Sequence, residues 1–548
     1  MSNIAALIQI MSVGKRNKIL NANPQITFWR FTHMRYTDFA LEQVRVTSNG
    51  STSHITDSGN TIHFDLPRAG DLCRNAFVVY HLPGLVNLSS GAVATASEDS
   101  SWYEDLRKKD VTGIATIDDI YTVPKHDDPA NPGNDIPMTP AAGADGKCEC
   151  VEDAVERHLI YKAQNDKDYS KTLGLTAGPQ PYWIKNIGQY LTHELRLQVG
   201  SQVVDTVYDH YLRIWDELSD KPGRTLSSNY GEMTMNGSRA QRKQWSRKRR
   251  SVFVPVPMFF SRTSGNAMPL IALSFHGVKF VLKTSAFKNC IMQKDGIQDG
   301  TVTTYVRVGQ NSGYQAEKST DEIQFHGATP ANAAAVGVKA QDIQVDMQVG
   351  YVYLGVAERN KFAEASFDIL IDQVQRNEQM LPADGKKLTI NNIGFNHCVQ
   401  EIVWCVTYDK KSTSTKEREA MDYSGPLGND AQPKRSVVSV QLRLNNSKRL
   451  THLDGDDVPG DYFCQLDPYL HHTRVPEDVY AYSWAITPEG TQPSGACNFS
   501  RIDHSSFEIT TRDISNDKDL DSPQLHMYAR NWNVFRVSLG LGGLKWAS

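Results

Sequence analysis

The chain has 548 residues, which is long for a single core but comfortable for two domains of about 200 residues with insertions. Its composition, 40% hydrophobic and 22% charged, is typical of a folded globular protein, and its net charge of −4 provides no overall basic field for binding nucleic acid. Eight scattered cysteines exclude a disulfide scaffold and favour reduced thiols and synthesis in the cytoplasm. The apolar stretch at 4–11 lacks the preceding charge and the cleavage site of a signal peptide, and no window reaches about 18 uncharged apolar residues. We therefore expect neither secretion nor a membrane span.

Residues 1–25 are expected to form an N-terminal arm, because a short amphipathic piece and a polar turn precede the first strand pattern. A first domain is predicted over 26–285, where apolar residues alternate before the turn signal Asn49-Gly50. Within this domain, 84–180 loses its periodicity and is rich in Asp, Ala, Gly and Pro. A loop of this length is unusual inside a compact domain, so the segment is predicted to be a surface insertion.

A second irregular stretch, 286–341, is interpreted as a connecting insertion, and the strand pattern restarts at Asp342. A second domain is therefore predicted over 342–548. Its clearest strands flank a turn at 488–503 and alternate large side chains with small or polar ones. The large or apolar-facing residues are Tyr480, Tyr482, Trp484 and Ile486 before the turn, and Phe507, Ile509 and Thr511 after it. These patterns predict an all-β protein.

Part of that turn, QPSGACNFSRID at 492–503, resembles a motif of the major capsid proteins of large icosahedral double-stranded DNA viruses of algae, amoebae and insects. Further segments that resemble the same family lie at 23–35, 187–215, 267–282 and 528–546. The resemblance therefore covers both ends and the middle of the chain apart from its insertions. On these residues the chain is similar to the capsid proteins of nucleocytoplasmic large DNA viruses, such as phycodnaviruses and iridoviruses.

The resemblance implies a fold of two consecutive eight-stranded antiparallel jelly-roll sandwiches, a double jelly roll with long loop insertions and a few short helices. It implies a structural protein of the virion that forms a homotrimeric capsomer of pseudo-hexagonal outline and tiles an icosahedral shell. We expect no enzymatic activity and no cofactor, because the sequence lacks nucleotide, metal and nucleophile motifs. The implied partners are further copies of the chain, neighbouring capsomers, and minor capsid and penton proteins. The arm 1–25 is expected to reach toward the inner membrane side, and no direct contact with nucleic acid is expected.

Other functions find little support among the motifs. The sequence contains no GxxxxGKS/T, HExxH or GxSxG pattern. A cupin-type metalloenzyme would need His and Glu ligands clustered on adjacent strands, and the sequence shows no such cluster. A carbohydrate-binding or adhesive jelly-roll protein is the alternative, since sugar sites built from exposed aromatic and acidic residues are not recognisable from sequence alone.

Four segments carry residues of the types that bind metals or phosphate. They are Cys148-Glu149-Cys150 with His158, the acidic loop of Asp454, Asp456, Asp457 and Asp461, the pair His471-His472, and the glycine run 540–543. The cysteines lack the spacing of a structural zinc site, and the acidic loop lacks the central glycine and closing glutamate of an EF-hand. The histidine pair has no third partner at readable spacing, and no helix follows the glycines to bind an anion. We therefore predict structural or solvent-exposed roles for these residues and no metal site.

A basic run and five glycosylation sequons complete the candidate sites. The run consists of Arg239, Arg242, Lys243, Arg247, Lys248, Arg249 and Arg250. It could contact nucleic acid or direct nuclear import, but a loop facing solvent or acidic groups of a neighbouring capsomer is the favoured interpretation. Standard N-glycosylation requires the secretory pathway, whereas the resembling algal-virus proteins carry sugars by a cytoplasmic route, so surface glycans are an open expectation. The sequons begin at Asn49, Asn87, Asn236, Asn445 and Asn498.

Overall fold

The structure is a computed structural model of the chain. The structure describes three main ranges, 35–90, 182–292 and 343–546, together with short strands at 126–128, 131–136, 175–177 and 305–308 and the single residues 18, 23 and 33. The gaps within the main ranges are 50–52, 220–227, 239–240, 243–244, 247–248, 288–289, 411–420, 426–434, 450–456, 516 and 518–519. The expected arm 1–25 and most of the two insertions lie outside the described residues.

Strands dominate both halves of the described chain. The elements up to residue 308 are β1 (Phe39–Val46), β2 (Thr61–Asp65), β3 (Leu72–Leu82), β4 (Gly84–Ser90), β5 (His126–Asp128), β6 (Asn131–Ile136), β7 (Leu175–Ala177), β8 (Tyr182–Trp183), α1 (Ile187–Leu191), β9 (Thr192–Val199), β10 (Gln202–Tyr208), α2 (Asp209–Ser219), α3 (Ser228–Thr234), β11 (Arg250–Pro255), α4 (Phe259–Arg262), a 3₁₀ turn (Ser264–Asn266), β12 (Met268–Pro269), β13 (Val278–Thr284), β14 (Ile291–Met292) and β15 (Tyr305–Val308). The later elements are β16 (Gln344–Leu354), α5 (Val356–Glu364), β17 (Phe367–Met380), β18 (Leu388–Asn391), β19 (Cys398–Lys410), β20 (Val437–Leu444), β21 (Ser447–Lys448), β22 (Val458–Pro459), a π-helical turn (Tyr462–Leu466), α6 (Asp467–His471), β23 (Tyr480–Ser483), β24 (Cys497–Asn498), a 3₁₀ turn (Phe499–Arg501), β25 (Ser505–Thr511), β26 (Leu520–Ser538) and β27 (Leu541–Leu544).

Two antiparallel sheets form the first sandwich. Sheet I has the order β1-β16-β3-β11, with β12 on β3, and sheet II has the order β10-β9-β13-β2. Every second residue of these strands faces inward, so Tyr80 and Met347 of sheet I share one core with Leu197 and Phe280 of sheet II. The expected antiparallel sandwich is thereby confirmed, with four strands in each sheet and the two-residue strand β12 added to sheet I.

Strand β16 corrects the domain boundary predicted at 342. It lies between β1 and β3 in sheet I, where Val349 pairs with Val44 on one side and with Ala76 on the other. A strand pattern that follows a long irregular stretch looks like the start of a new domain, but its sheet is decided by partners about 300 residues away in sequence. The first sandwich therefore includes Leu354, and the first strand of the second sandwich begins at Phe367.

The two insertions leave the first sandwich side by side. His81 at the end of β3 pairs with Gln344 at the start of β16, so 84–180 and 286–341 both adjoin this end of sheet I. Strand β4 then pairs with β15 and with β7 in a small three-stranded sheet. The two segments, predicted separately from composition, are thus joined by backbone pairing.

The second sandwich repeats the architecture. Sheet III has the order β17-β26-β19-β23, with β24 on β19 and β27 on β26, and sheet IV has the order β18-β25-β20-β21, with β22 on β20. Trp404 lies at the centre of its core, stacked on Tyr480 at 5.9 Å and edge-on to Phe507 at 5.2 Å. The predicted strand from Tyr480 ends at Ser483, because the chain turns and Ile486 donates its N–H to the Ser494 carbonyl across the following loop.

Sheet III is buried on both faces. Along β19, Ile402, Trp404 and Val406 face sheet IV, whereas Val403 and Cys405 belong to the core of the first sandwich. The first sandwich places α2, α4 and β10 against this second face. The two cores are therefore separated by a single layer of strands. Among the described residues, no helix combines the length and apolar character needed to cross a membrane.

Replacing Phe535 by alanine tests this arrangement. Phe535 is fully buried on β26 and contacts Phe259 of α4 at 6.2 Å between ring centroids, so Phe535→Ala should lower the free energy of unfolding by about 3–5 kcal/mol. The matched control is Leu539→Ala just beyond the same strand, where the side chain is 85% exposed and the change should stay within about 0.5 kcal/mol. Equal losses for the two variants in urea unfolding would show that β26 is not covered by the first sandwich.

Candidate functional site at the junction of the two sandwiches

The edges of the two sandwiches are joined through side chains. Strand β10 of sheet II lies beside β17 of sheet III, and the carboxylate of Asp205 accepts a hydrogen bond from the Val374 N–H at 3.3 Å. Next to it, the side-chain amide of Gln373 donates to the Val204 carbonyl. Burial, with Asp372 nearby, raises the pKa of Asp205 well above its ordinary value. The exposed amides of a sheet edge are thus partly satisfied by the neighbouring sandwich, which removes a site of unwanted strand pairing.

A charged cluster is buried at the same junction. Arg262 at the end of α4 forms an ion pair with Asp372 of β17, and Arg530 of β26 lies 3.1 Å from the Glu401 carboxylate of β19. Both guanidinium groups lie over the ring of Trp215 from α2, at 4.5 and 4.8 Å from its centroid. Aromatic faces attract cations most strongly where water is excluded. The indole of one sandwich therefore contacts a cation from each sandwich.

His472 completes this cluster from the residue after α6. Its Nε2 lies 3.2 Å from Glu401 Oε2, and its Nδ1 lies 3.2 Å from Glu489 Oε1. We define the junction cluster as the cations Arg262, Arg530 and His472, the anions Asp372, Glu401 and Glu489, and Trp215. Its formal charges cancel when His472 is protonated, which is the condition under which buried charges are tolerated.

The turn 488–503 supplies Glu489 to the cluster. The Glu489 carbonyl accepts a hydrogen bond from Arg262 Nη2 at 2.7 Å, and its carboxylate accepts from the Thr473 N–H at 2.9 Å. Gly495 has a φ of 137°, and a Cβ there would lie 2.5 Å from the Trp484 carbonyl oxygen, so glycine is required for the turn to pack on its own strand. The start of the turn, just before the family-resembling segment 492–503, therefore connects the second sandwich to the first.

The charges of the cluster shift the pKa values of its members. Burial alone would lower the pKa of His472, but Glu401 and Glu489 outweigh it and raise the pKa to about 9. Burial would raise the pKa of Glu401, but Arg530 and His472 outweigh it and lower the pKa to about 2. His472 is therefore an imidazolium and Glu401 a carboxylate at neutral pH.

The basic run is only partly a surface feature. Arg242 is buried, donates to the Gly237 carbonyl at 3.1 Å and the Trp183 carbonyl at 3.0 Å, and lies 5.2 Å from the Tyr182 ring. Arg250 is half-buried and pairs with Glu232, whereas Arg249 is exposed. The remaining members lie outside the described residues; they are Arg239, Lys243, Arg247 and Lys248. The run as a whole is thus not a free cationic face, because two of its described members serve the fold.

The other candidate ligands have structural partners or lie outside the described residues. Asp457 pairs with Lys387 at 2.6 Å, and Asp461 pairs with Arg435 at 2.6 Å. Gly540, with a φ of 79°, turns tightly against Phe275. In the described part of the chain, no group of three His, Cys, Asp or Glu side chains is placed to hold a metal ion. The candidates outside the described residues are Cys148, Cys150, His158, Asp454 and Asp456.

The sequons differ in their surroundings. Asn49 and Asn445 are exposed, and Asn236 is half-buried. Asn498 is half-buried and accepts a hydrogen bond from the Ser500 N–H at 3.1 Å, which caps the 3₁₀ turn. Asn87 lies on β4, and its side chain is outside the described residues. Their glycosylation stays a prediction.

Two family models match consecutive parts of the chain. The model for the major capsid protein N-terminus matches 162–355, and the model for the large eukaryotic DNA virus major capsid protein matches 358–543. Together they span more than half of the chain and meet at the start of α5, between β16 of the first sandwich and β17 of the second. The chain belongs to this family. It is a major capsid protein of large DNA viruses, as its sequence resemblance indicated, and thus a structural component of the virion shell.

Individual capsid proteins are similar along nearly their whole length. The major capsid protein of Phaeocystis pouchetii virus is 22% identical and that of Paramecium bursaria Chlorella virus 1 is 23% identical, each over 99% of both chains. In the capsid of the latter virus, a matching chain has a TM-score of 0.56 at 20% identity, covering 95% of this chain and 100% of that chain. The Faustovirus major capsid protein has a TM-score of 0.55 at 11% identity, covering 98% and 96%. These structures support the double jelly-roll fold.

Sequence motifs do not reveal most members of the junction cluster. In the sequence, His472 is only half of a histidine pair without a third partner, because its two glutamates lie 17 and 71 positions away. A signal was present: Glu401 and Arg530 lie on strands directly beside Ile402 and Ala529, which face a core. Opposite charges on two such strands indicate a buried ion pair.

His472→Gln should change the pH dependence of stability. Because the folded pKa of His472 is raised from 6.5 to about 9, its imidazolium stabilises the fold fully below pH 6.5, and this stabilisation is lost as the pH rises through 9. The variant should lose up to about 3 kcal/mol at pH 6 and show a weaker further loss between pH 6 and pH 9.5 than the unmodified chain. Urea unfolding at both pH values measures this, with His471→Gln as the neighbouring control. An unchanged alkaline loss in His472→Gln would contradict the assignment.

Arg242→Ala tests the structural role of the basic run. Removal of the guanidinium leaves the Trp183 carbonyl without its donor, so we expect a loss of about 1–3 kcal/mol in thermal or urea unfolding. Arg249→Ala, at an exposed position of the same run, should stay within about 0.5 kcal/mol. If the two variants were equally stable, Arg242 would not hold this segment against β8.

Proposed function

We propose that this capsid protein forms a homotrimeric capsomer of pseudo-hexagonal outline and that these capsomers tile a flat icosahedral facet. The observation that carries the proposal is the junction: two similar sandwiches share a sheet covered on both faces and are held by the junction cluster. Each chain then presents two lobes of similar architecture at a fixed separation. A ring of three such chains presents six lobes, which gives near-hexagonal packing from a threefold assembly.

Exposed apolar side chains on both sandwiches support contacts between copies. On the π-helical turn and α6, Leu466, Tyr469 and Leu470 are spaced at i, i+3 and i+4 and face solvent, at 45%, 74% and 58% exposure. On the first sandwich, Phe39 and Leu41 of the edge strand β1 are half exposed, at 49% and 52%. A cyclic trimer needs two different complementary surfaces on each subunit, one for each neighbour. We propose that these two surfaces meet between adjacent copies.

The remaining parts of the role are proposed on family membership. The chain acts without catalytic activity of its own and is synthesised in the host cytoplasm. Its partners in the shell are neighbouring capsomers and the minor capsid and penton proteins, and its N-terminal arm contacts the inner membrane side. Purified protein that turned over a substrate with a stoichiometric metal would overturn the non-catalytic role.

Light scattering tests the trimer. The full chain should have a mass near three times 61.3 kDa and keep it on dilution to micromolar concentration. A full-length monomer under these conditions would contradict the capsomer.

Substitution then tests the contact surface. The double variant Tyr469→Ser with Leu470→Ser should shift toward the monomer mass while keeping the circular dichroism of a folded β protein, since a few central apolar residues dominate interfaces. Leu539→Ser, an exposed apolar position outside both surfaces, should stay trimeric. If the double variant remained trimeric, the proposed contact surface at Tyr469 and Leu470 would be wrong. The proposal of a trimeric capsomer would not be contradicted.

A further inference from the structure

A pair of histidines stacks across the junction, away from the cluster around Trp215. His210 comes from the first turn of α2 in the first sandwich, and His526 comes from β26 in the second. Their ring centroids are 4.1 Å apart with an angle of 34° between the planes. The two imidazoles are therefore in van der Waals contact, and each belongs to a different sandwich.

The hydrogen-bond partners of this pair are already in place. His526 is buried; its Nδ1 lies 3.0 Å from the Glu378 carboxylate of β17, and its Nε2 lies 2.9 Å from the Thr407 hydroxyl of β19. His210 is partly buried, and its Nδ1 lies 3.0 Å from the Tyr423 hydroxyl. Both nitrogens of His526 and one nitrogen of His210 are thus engaged within the second sandwich.

The charged groups around His210 come from three elements. On α2 itself are Asp209, which is also paired with His193 of β9 at 3.1 Å, and Arg213. His526 faces it from β26, and Glu378 acts on it from β17. The carboxylates favour a proton on His210, whereas Arg213 and His526 oppose it.

We propose that the stack of His210 on His526 makes the joint between the two sandwiches sensitive to acid, so that proton uptake by His210 weakens the attachment of one sandwich to the other. A proton taken from solvent onto His210 places a positive charge in a buried site, on a ring stacked 4.1 Å from a second imidazole. Hydration of that charge requires α2 to move away from β26, which is a separation of the two sandwiches.

The sign of the effect follows from the direction of the pKa shift. Burial is the largest cause and His526 the next, and together they lower the pKa of His210 from 6.5 to about 3. A histidine whose folded pKa is lowered contributes stability that is present above pH 6.5 and is lost as the pH falls from 6.5 toward 3. The nearby His193 has the opposite shift, because its hydrogen bond with Asp209 raises its pKa. Its contribution is present in acid and is lost as the pH rises.

Urea unfolding of three proteins at pH 7.5 and pH 5 tests the proposal. With the pKa values of about 3 and 6.5, the unfolding equilibrium constant of the unmodified chain should rise about 10- to 30-fold more on acidification than that of His210→Gln. His193→Gln is the matched control, and its loss on acidification should be larger than that of the unmodified chain. If His210→Gln does not fold at pH 7.5, His210→Phe, which keeps a stacked ring without a titratable group, takes its place.

A double-mutant cycle then locates the effect at the joint. The coupling between His210→Gln and His526→Gln should change from neutral or favourable at pH 7.5 to repulsive at pH 5. A coupling that does not change with pH would overturn the proposal. An acid loss in His210→Gln as large as in the unmodified chain would overturn it as well.

Discussion

The structure depends on one sheet that is buried on both faces. Sheet III closes the core of the second sandwich with one face and completes the core of the first with the other. Strand β19 shows how the sequence achieves this, since Ile402, Trp404 and Val406 point one way and Val403 and Cys405 the other. Each large apolar side chain buried in this way contributes roughly 1.5–3 kcal/mol, so neither sandwich is independent of the other. The two-lobed architecture follows from the run 402–406 of β19, which is apolar at every position.

Apolar contact alone does not determine how the sandwiches are oriented, because it is not directional. The junction cluster adds direction, since Trp215 lies beneath both Arg262 and Arg530, each of which faces a carboxylate. Desolvating six charges is costly, and the cost is offset only in the arrangement in which the charges are paired. The turn 488–503 belongs to the same arrangement through Glu489. The segment distinctive of the family, 492–503, thus begins three positions after a member of the junction cluster.

Local patterns in the sequence were sufficient to predict individual strands. They were insufficient to predict which strands pair and which side chains are in contact. The alternation at Phe507 and Ile509 correctly predicted β25. The prediction that β16 belongs to the second domain was wrong, because its pairing with β1 and β3 depends on contacts that no local pattern encodes. Arg242 looked like a surface charge because its neighbours are basic, whereas its burial depends on Trp183, 59 positions earlier. At the junction only the charges of Glu401 and Arg530 on two strands are a signal in the sequence, because the contacts of the other members join elements that lie far apart in the chain.

The position of β16 has a consequence for how the protein is made. Strand β1 ends at Val46, but the strand with which it pairs begins at Gln344, after both insertions have been synthesised. At about 5–20 residues per second, roughly 15–60 s of translation separate the two strands. During that interval the ribosome carries a nascent chain whose first sandwich lacks a central strand and exposes unpaired edges. The N-terminal lobe therefore cannot complete sheet I until residue 354 has been synthesised, roughly two thirds of the way along the chain.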